Sequence, residues 1–302
     1  MLLQHYLNEL NYKIMPKSFN KYFEVPSLTR LKKIGYFCGM DYASKDIYNF
    51  TEYISRFDHS LTCFLLTYKL TKNKEAALAA LFHDISTPCF SHVIDYMNKD
   101  YENQESTEEY TEDILKNDKY LIKCLKEDNI NVEDIINFKK YTIVDNNRPK
   151  LCVDRLDGVI LTGIGWTKNI SQNDITNIIN DLYIFKNEDN EDEIGFKTNE
   201  IALKVLKISK SIDIFCHSKE DNYMMELLAK ITKLAIDNKY IRYEDLYTYN
   251  EEELLYLLKK YKELNKLIYD FENIKSNNIP NITLPNVKIR VLNPLVNGKR
   301  IK

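Results

Sequence analysis

Apolar residues recur at helical spacing through most of the chain. Between about residues 45 and 70 they fall on one face at steps of three and four, which predicts a helix. The same spacing continues in four further stretches: 75–84, 154–161, 200–239 (expected in two pieces) and 243–269. With only 7 Gly and 7 Pro in 302 residues, few tight turns interrupt these segments. The pattern predicts a mainly α-helical protein.

Two regions depart from the helical pattern. Apolar runs at 182–185 and 194–197 flank an acidic turn, which predicts a small β-hairpin near 182–198. Over 281–296 the chain has three prolines and an alternation of apolar and basic residues, which predicts a strand-like tail that folds back on the helices. We therefore expect a main domain over 1–235, with its chemical motifs at 56–160, and a helical and strand-like extension over 236–302 packed on it.

Charge and cysteine usage narrow the classes of partner. The chain has 42 basic and 45 acidic residues, a net charge of −3, which argues against a nucleic-acid partner. No apolar run reaches the roughly 18 residues that a membrane span needs, and the first residues lack the pattern of a secretion signal. The six cysteines are far apart, as expected for reduced thiols. These features predict a cytoplasmic protein without a membrane partner.

The five histidines carry the chemical signal. His59, the adjacent pair His83 and Asp84, and the distant Asp154 could supply two imidazoles and two carboxylates, a set that suits Zn, Mn, Fe, Ni or Co better than Ca. Adjacent residues on a helix lie about 100° apart, so this pair can share one metal only at a helix end. Pro88 soon afterwards would supply that interruption. A single buried histidine is usually a hydrogen-bonded core residue, so the hypothesis depends on the surrounding strings.

Four separated strings surround these residues: RFDHSL at 56–61, LFHD at 81–84, PCFSHVID at 88–95 and VDRLD at 153–157. In this order they resemble the HD-domain superfamily of metal-dependent phosphohydrolases. The resemblance is closest to the deoxynucleoside triphosphate triphosphohydrolase branch, which includes the bacterial dGTPases. It extends over about residues 20–160, weakens towards 235, and implies an HD-domain helical bundle.

The resemblance implies roles for individual residues. The residues that match the metal ligands are His59, His83, Asp84 and Asp154. The residues that match cations on the substrate phosphates are Arg56, Arg155 and Lys219. His92 matches a histidine that faces the leaving oxygen, and Asp95 matches the carboxylate that orients a catalytic histidine. Glu105 could orient water. Mg²⁺ is a further candidate that would arrive with the substrate.

Three positions depart from the branch. Thr87 and Gln104 stand where it has histidines, and Gly158 stands where it has a tyrosine. The metal ligands are therefore kept, while the groups that handle a triphosphate are altered. The leading function is a nucleotide phosphohydrolase, with a deoxynucleoside triphosphate as the best-supported substrate. A nucleotidase or phosphomonoesterase of the same fold and a weakened, nucleotide-binding regulatory protein are the alternatives. The resemblance also implies a homo-oligomer.

Overall fold

A computed structural model describes residues 1–104, 108–282 and 286–301. The chain is mainly helical, as the sequence predicts. The α-helices in the described residues are α1 (Leu2–Glu9), α2 (Asn20–Phe23), α3 (Pro26–Arg30), α4 (Arg56–Thr71), α5 (Lys74–Phe82), α6 (Val93–Asn98), α7 (Thr111–Asn117), α8 (Lys119–Glu127), α9 (Val132–Ile136), α10 (Val153–Thr162), α11 (Gln172–Asp181), α12 (Asn199–Cys216), α13 (Lys219–Asp237), α14 (Glu251–Leu258) and α15 (Lys262–Asn273).

Helix α4 begins later than the spacing of apolar residues predicts. The prediction of a helix from residue 45 is wrong, because 43–55 is irregular up to a capping box at Ser55. The hydroxyl of Ser55 accepts from the backbone of Asp58, whose carboxylate accepts from the backbone of Ser55 in return. A single β-bridge joins Ser55 to Gly35 and holds the incoming segment beside the helix. The helix start is therefore fixed at Arg56, three residues before His59.

The predicted hairpin is confirmed as strands β1 (Leu182–Lys186) and β2 (Asp192–Phe196), paired antiparallel. Two further short strands, β3 (Leu295–Val296) and β4 (Lys299–Arg300), complete a mixed four-stranded sheet in which β3 runs parallel to β2. Gly195 is required here, because a Cβ at that position would come within 2.5 Å of the carbonyl oxygen of Leu295.

The described tail is extended and folds back on the helices, as expected, but only a short part of it forms a strand. Residues 286–294 are extended without a ladder partner, and only 295–296 of the predicted tail joins the sheet. Single backbone bonds hold the tail instead, including those from Lys288 to Tyr101 and from Asn293 to Pro149. The division at residue 235 stays a prediction, and α13 runs through it. Within the described residues, no helix is long and apolar enough to cross a bilayer.

Candidate metal centre and its cavity

Three helices place the four metal-ligand candidates around one point. His59 lies one turn into α4, and Asp154 lies in the first turn of α10. Helix α5 is buried on all sides and ends at Phe82, so His83 and Asp84 occupy the turn beyond its end. This is the interruption that an adjacent His-Asp pair needs in order to face one ion.

The donor atoms converge within ionic distances. An oxygen of Asp154 lies 3.1 Å from Nε2 of His59 and 3.5 Å from Nε2 of His83. Oxygens of Asp84 lie 3.9 Å from Nε2 of His59 and 3.8 Å from Nε2 of His83. The structure therefore brings together all four residues that the sequence singled out.

The other ring nitrogen of each histidine is held by an acceptor. Nδ1 of His83 donates to the carbonyl of Ala80 at 2.8 Å, and Nδ1 of His59 donates to a carboxylate oxygen of Asp157 at 2.7 Å. Tyr6 donates to the second oxygen of that buried carboxylate. With a metal bound, these bonds would keep the proton on Nδ1 and leave the Nε2 lone pair for the ion, the arrangement usual for metal-binding histidines. Without a metal, neighbouring groups raise the pKa of both imidazoles against the effect of burial. Asp157, three residues after Asp154 on α10, received no role from the sequence, although its spacing could have suggested one.

The residues present fit a divalent metal ion. Nε2 of His83 is buried and has no hydrogen-bond partner among the described residues, although buried polar atoms are normally satisfied. Two imidazoles and two carboxylates are a donor set that first-row metals accept. Cys63 lies near the same ring, 3.7 Å from Nδ1 and 3.9 Å from Nε2 of His59. Because its sulfur is almost equidistant from the two nitrogens, it lies beside the ring and out of line with the Nε2 lone pair.

Charge pairing keeps the carboxylates of this centre ionised. Burial would raise the pKa of Asp84, but His83 and Arg56 outweigh it and hold that pKa below its usual value. Burial would also raise the pKa of Asp154, but a hydrogen bond from His59 and the charges of His83 and His59 hold that pKa well below its usual value. Arg56 itself bonds to Asp84 at 2.8 Å. Its guanidinium therefore stabilises the centre besides lining the cavity where a substrate would lie.

His92 and Asp95 form a hydrogen-bonded pair at the same cavity. Nδ1 of His92 donates to a carboxylate oxygen of Asp95 at 2.8 Å. The Asp95 side chain is buried, whereas the imidazole is about one quarter exposed and lines the cavity. Phe90 and Ser91 have positive φ angles, and this turn presents the imidazole at the start of α6. The geometry is that of an oriented imidazole, and its catalytic role stays a prediction.

The other predicted site residues are placed differently. Arg155 lines the cavity, but its guanidinium is bound by Asp145, the carbonyl of Lys150 and Asn146. Lys219 is not among the residues that line the cavity, because it starts α13 and its ammonium donates to the carbonyl of Ile279 at 3.3 Å. Glu105 lies outside the described residues. The substrate roles of Arg155 and Lys219 and the role of Glu105 stay predictions.

The departures from the family pattern have local explanations. Thr87 is buried and turned away, with its hydroxyl donating to the carbonyl of Asp84. Gly158 leaves room for a phenol from elsewhere in the chain, since a Cβ there would lie 2.8 Å from the hydroxyl of Tyr36. Tyr36 lines the cavity, and its ring is 5.0 Å from that of His59. The cavity therefore contains a phenol beside Gly158, although residue 158 does not supply it.

The cavity measures about 290 Å³ and extends beyond the four donors. Part of its lining is apolar and aromatic, with Phe37, Trp166 and Met225. Asp221 also lines it, accepts from Tyr48 at 2.6 Å, and has its pKa raised by burial to about 6. Three cations, Arg148, Lys288 and Arg290, also line the cavity. The sequence analysis did not place these cations, the aromatic residues or Asp221 in one site. They come from segments far apart in the chain, so no local pattern could have found them.

A second buried carboxyl pair lies behind the cavity wall. Glu251 accepts from the backbone N–H of Gly35 at 3.0 Å and of Phe90 at 3.1 Å, and so ties together the segments that carry Tyr36 and His92. Burial raises the pKa of Glu251 to about 8. Burial also raises the pKa of Asp41 to about 6, and one of its buried oxygens has no hydrogen-bond partner in the described chain.

Comparison with known proteins supports the centre that the geometry shows. An uncharacterized protein of Bacillus subtilis, YdhJ, is 26% identical over 213 residues, which are 69% of this chain and 62% of that protein. The metal-dependent phosphohydrolase cns2 of Cordyceps militaris is 26% identical over 135 residues, which are 45% of this chain and 38% of that protein. The chain thus spans less than two thirds of either relative. The family model described as HD domain matches residues 56–159, and this segment contains all four candidate donors and the His92–Asp95 pair. The matched segment is therefore similar to the HD domain of metal-dependent phosphohydrolases.

Proposed function

We propose that the protein is a metal-dependent phosphohydrolase that acts on nucleotides, and that a deoxynucleoside triphosphate is its substrate. The observation that carries the proposal is the convergence of His59, His83, Asp84 and Asp154 at a cavity that also holds the His92–Asp95 pair. A divalent ion bound there would supply Lewis-acid polarisation of a phosphoryl oxygen and would activate water. Mn, Fe, Ni, Co and Zn all suit the donor set.

The chain's own residues would do the rest of the work. Arg56 lies over the ring of Tyr36 at 5.0 Å and is held by Asp84, so its guanidinium has a fixed place at the cavity from which to contact a phosphate. His92 keeps Nδ1 bonded to Asp95, which leaves Nε2 to give a proton to the leaving oxygen. Positioning of this kind is most of what phosphoryl transfer requires of a protein.

A nucleotide is supported by the remainder of the lining. Phe37 and Trp166 offer aromatic surface for a base, and Asp221 offers a carboxyl group for its N–H donors or for a sugar hydroxyl. A simple phosphomonoester would use little of this surface. We further propose a homo-oligomer, as the resemblance to the triphosphohydrolase branch implies.

The test is an activity screen with product identification. Purified protein with Mn²⁺, Mg²⁺, Ni²⁺ or Co²⁺ is incubated with dNTPs, NTPs, dNMPs and a generic phosphomonoester, and the released phosphate species are resolved. We expect inorganic triphosphate and a deoxynucleoside. Orthophosphate from monophosphates alone would move the assignment to a nucleotidase. Absence of turnover with every metal would favour a regulatory nucleotide-binding protein.

A paired variant separates catalysis by this centre from contamination. The double substitution His83→Ala and Asp84→Ala should abolish both turnover and bound metal, measured by elemental analysis. Asp58→Asn is the matched control, because Asp58 lies on α4 beside His59 but serves only the capping box. Turnover that survives the double substitution would contradict the proposal.

A further inference from the structure

Three cations line the cavity without a carboxylate partner. Arg56 is paired with Asp84 and Arg155 with Asp145, but Arg148, Lys288 and Arg290 form no ion pair with the described part of the chain. We call these three residues the cation cluster. The guanidinium of Arg148 also makes no hydrogen bond to a described residue. Lys288 donates to the carbonyl of Asn103, and Arg290 donates to Gln104 and to the carbonyl of Lys288.

The members of the cluster repel one another. Burial and the charges of Arg155 and Arg290 lower the pKa of Arg148. Burial and the charges of Arg148 and Arg290 lower the pKa of Lys288. The pKa of Arg290 is instead raised by neighbouring groups that include Asp221, so the repulsion falls mainly on Arg148 and Lys288. Like charges held together in a cavity cost folding free energy, and a bound anion would lower that cost.

An extended segment of the tail delivers two of the three cations. We call residues 286–292 the strap. Its backbone N–H groups at Lys288 and Arg290 bond to Tyr101 and to the carboxylate of Asp213, on separate parts of the fold. The strap alternates as an extended chain does: positions 288, 290 and 292 line the cavity, whereas Ile289 and Val291 are more than half exposed.

The strap also lies close to the metal centre. The candidate metal ligands His59, His83, Asp84 and Asp154 line the same cavity as Arg148, Lys288 and Arg290. An anion bound by the cluster would thus lie beside the position where a phosphoryl group meets the metal. A phosphate monoester carries a charge of about −1.5 to −2 at pH 7, which cannot match three cations in addition to the metal.

We propose that Arg148, Lys288 and Arg290 bind a chain of two or more phosphates, and that the strap thereby selects oligophosphate substrates over monophosphates. The inference rests on the proposed function and deepens it. It assigns substrate recognition to residues outside the matched segment 56–159. The cation cluster would also supply phosphate contacts in place of the two histidines that are replaced here by Thr87 and Gln104.

The test measures binding of inorganic tripolyphosphate and of orthophosphate to the full chain. Divalent ions are first removed by dialysis, because tripolyphosphate chelates them, and binding is followed by calorimetry at low salt. We expect tripolyphosphate to bind and orthophosphate to bind at least about tenfold more weakly. Lys288→Gln and Arg148→Gln should each lower the affinity for tripolyphosphate about tenfold, because each variant loses one charge-assisted contact.

Two further variants keep the test independent of folding. Arg290→Lys retains the charge and should bind more tightly than Arg290→Gln. Lys299→Gln removes an exposed positive charge from the same tail outside the cavity and should stay within about twofold of the wild type. Equal affinity for the two anions, or equal loss in Lys299→Gln and Lys288→Gln, would overturn the inference.

The readouts separate this inference from the proposed function. Tripolyphosphate binding that depends on the cluster, in a protein that hydrolyses no nucleotide, would leave the inference standing and remove the proposed function. If the protein hydrolyses nucleotides but Lys288→Gln and Arg148→Gln leave KM unchanged, the proposed function would stand and this inference would fall.

Discussion

The protein buries two groups of carboxyl side chains near one cavity and treats them in opposite ways. Asp84 and Asp154 face two imidazoles and Arg56, and their pKa values are lowered. Asp41 and Glu251 have no ion-pair partner in the described chain, and burial raises their pKa values to about 6 and about 8. Desolvation would raise the pKa in both groups, so the cationic partners decide the direction in which each pKa shifts.

The difference separates carboxyl groups that could bind a metal ion from carboxyl groups that hold the backbone around the cavity. The first group keeps its negative charge, and Nε2 of His83 beside it has no hydrogen-bond partner in the described part of the chain, so a bound cation would complete this arrangement. Glu251 binds two backbone N–H groups and holds the segments on which Tyr36 and His92 lie.

The largest expected effect follows from removing a charge in the first group. Asp154→Asn should lower turnover by more than about 100-fold, because loss of even an indirect partner of a metal site costs about 10- to 100-fold. Mn²⁺ should raise the melting temperature of the wild type but not of the variant. Activity and elemental analysis check this, with Asp58→Asn as control. Equal metal content in Asp154→Asn and Asp58→Asn would contradict a metal-binding role for the first group of carboxyl side chains.

A smaller effect on metal binding is expected from Asp157, which contacts the candidate ligand His59 rather than the metal site itself. Asp157→Asn keeps the shape of the side chain but weakens the acceptor for Nδ1 of His59 and for Tyr6. Metal affinity should fall about 10- to 100-fold, and the free energy of unfolding should fall by about 1–3 kcal/mol. Metal titration and urea denaturation measure the two effects. A loss of stability with unchanged metal affinity would make Asp157 a purely structural residue.

The raised pKa of Glu251 should make the protein less stable as pH rises, whereas the lowered pKa values of Asp84 and Asp154 act in the opposite direction. Its folded pKa of about 8 exceeds the ordinary 4.5, so the folded state binds the extra proton and loses stability as pH rises from about 5 to 8. Glu251→Gln should flatten this slope, although the amide serves only one of the two N–H groups and costs about 1–3 kcal/mol. Denaturation of the metal-free protein at several pH values checks this. An unchanged slope would show that Glu251 is not the group responsible.

The smallest effect is expected at Asp41. Asp41→Asn replaces a carboxylate that has an unpartnered buried oxygen and no ion pair in the described chain. The free energy of unfolding should change by less than about 1 kcal/mol below pH 6 and should rise slightly above it, where the wild type must ionise a buried group. Turnover should be unchanged. A large loss of turnover in Asp41→Asn would contradict the contrast between the two groups of carboxyl side chains.

Much of the metal centre could be predicted from the sequence, because it depends on local order. The spacing of apolar residues located α5 and α10, and the position of His83 and Asp84 before Pro88 indicated the helix end that they need. The supporting residues were harder to find. Asp157 lies one turn from a predicted ligand and was still missed, and Glu251 contacts Gly35 from 216 positions away along the chain.

The sequence alone determined the helical class and the hairpin, since these follow from the periodicity of apolar residues. The four candidate donors were indicated by residue type and by resemblance to a known family. Only the tertiary structure decided which cations reach the cavity. Lys219 starts a helix away from it, whereas Lys288 and Arg290 arrive on an extended strap that the apolar alternation had suggested as a strand. That alternation specifies which side chains share a face, but long-range backbone bonds to Tyr101 and Asp213 decide where the face lies.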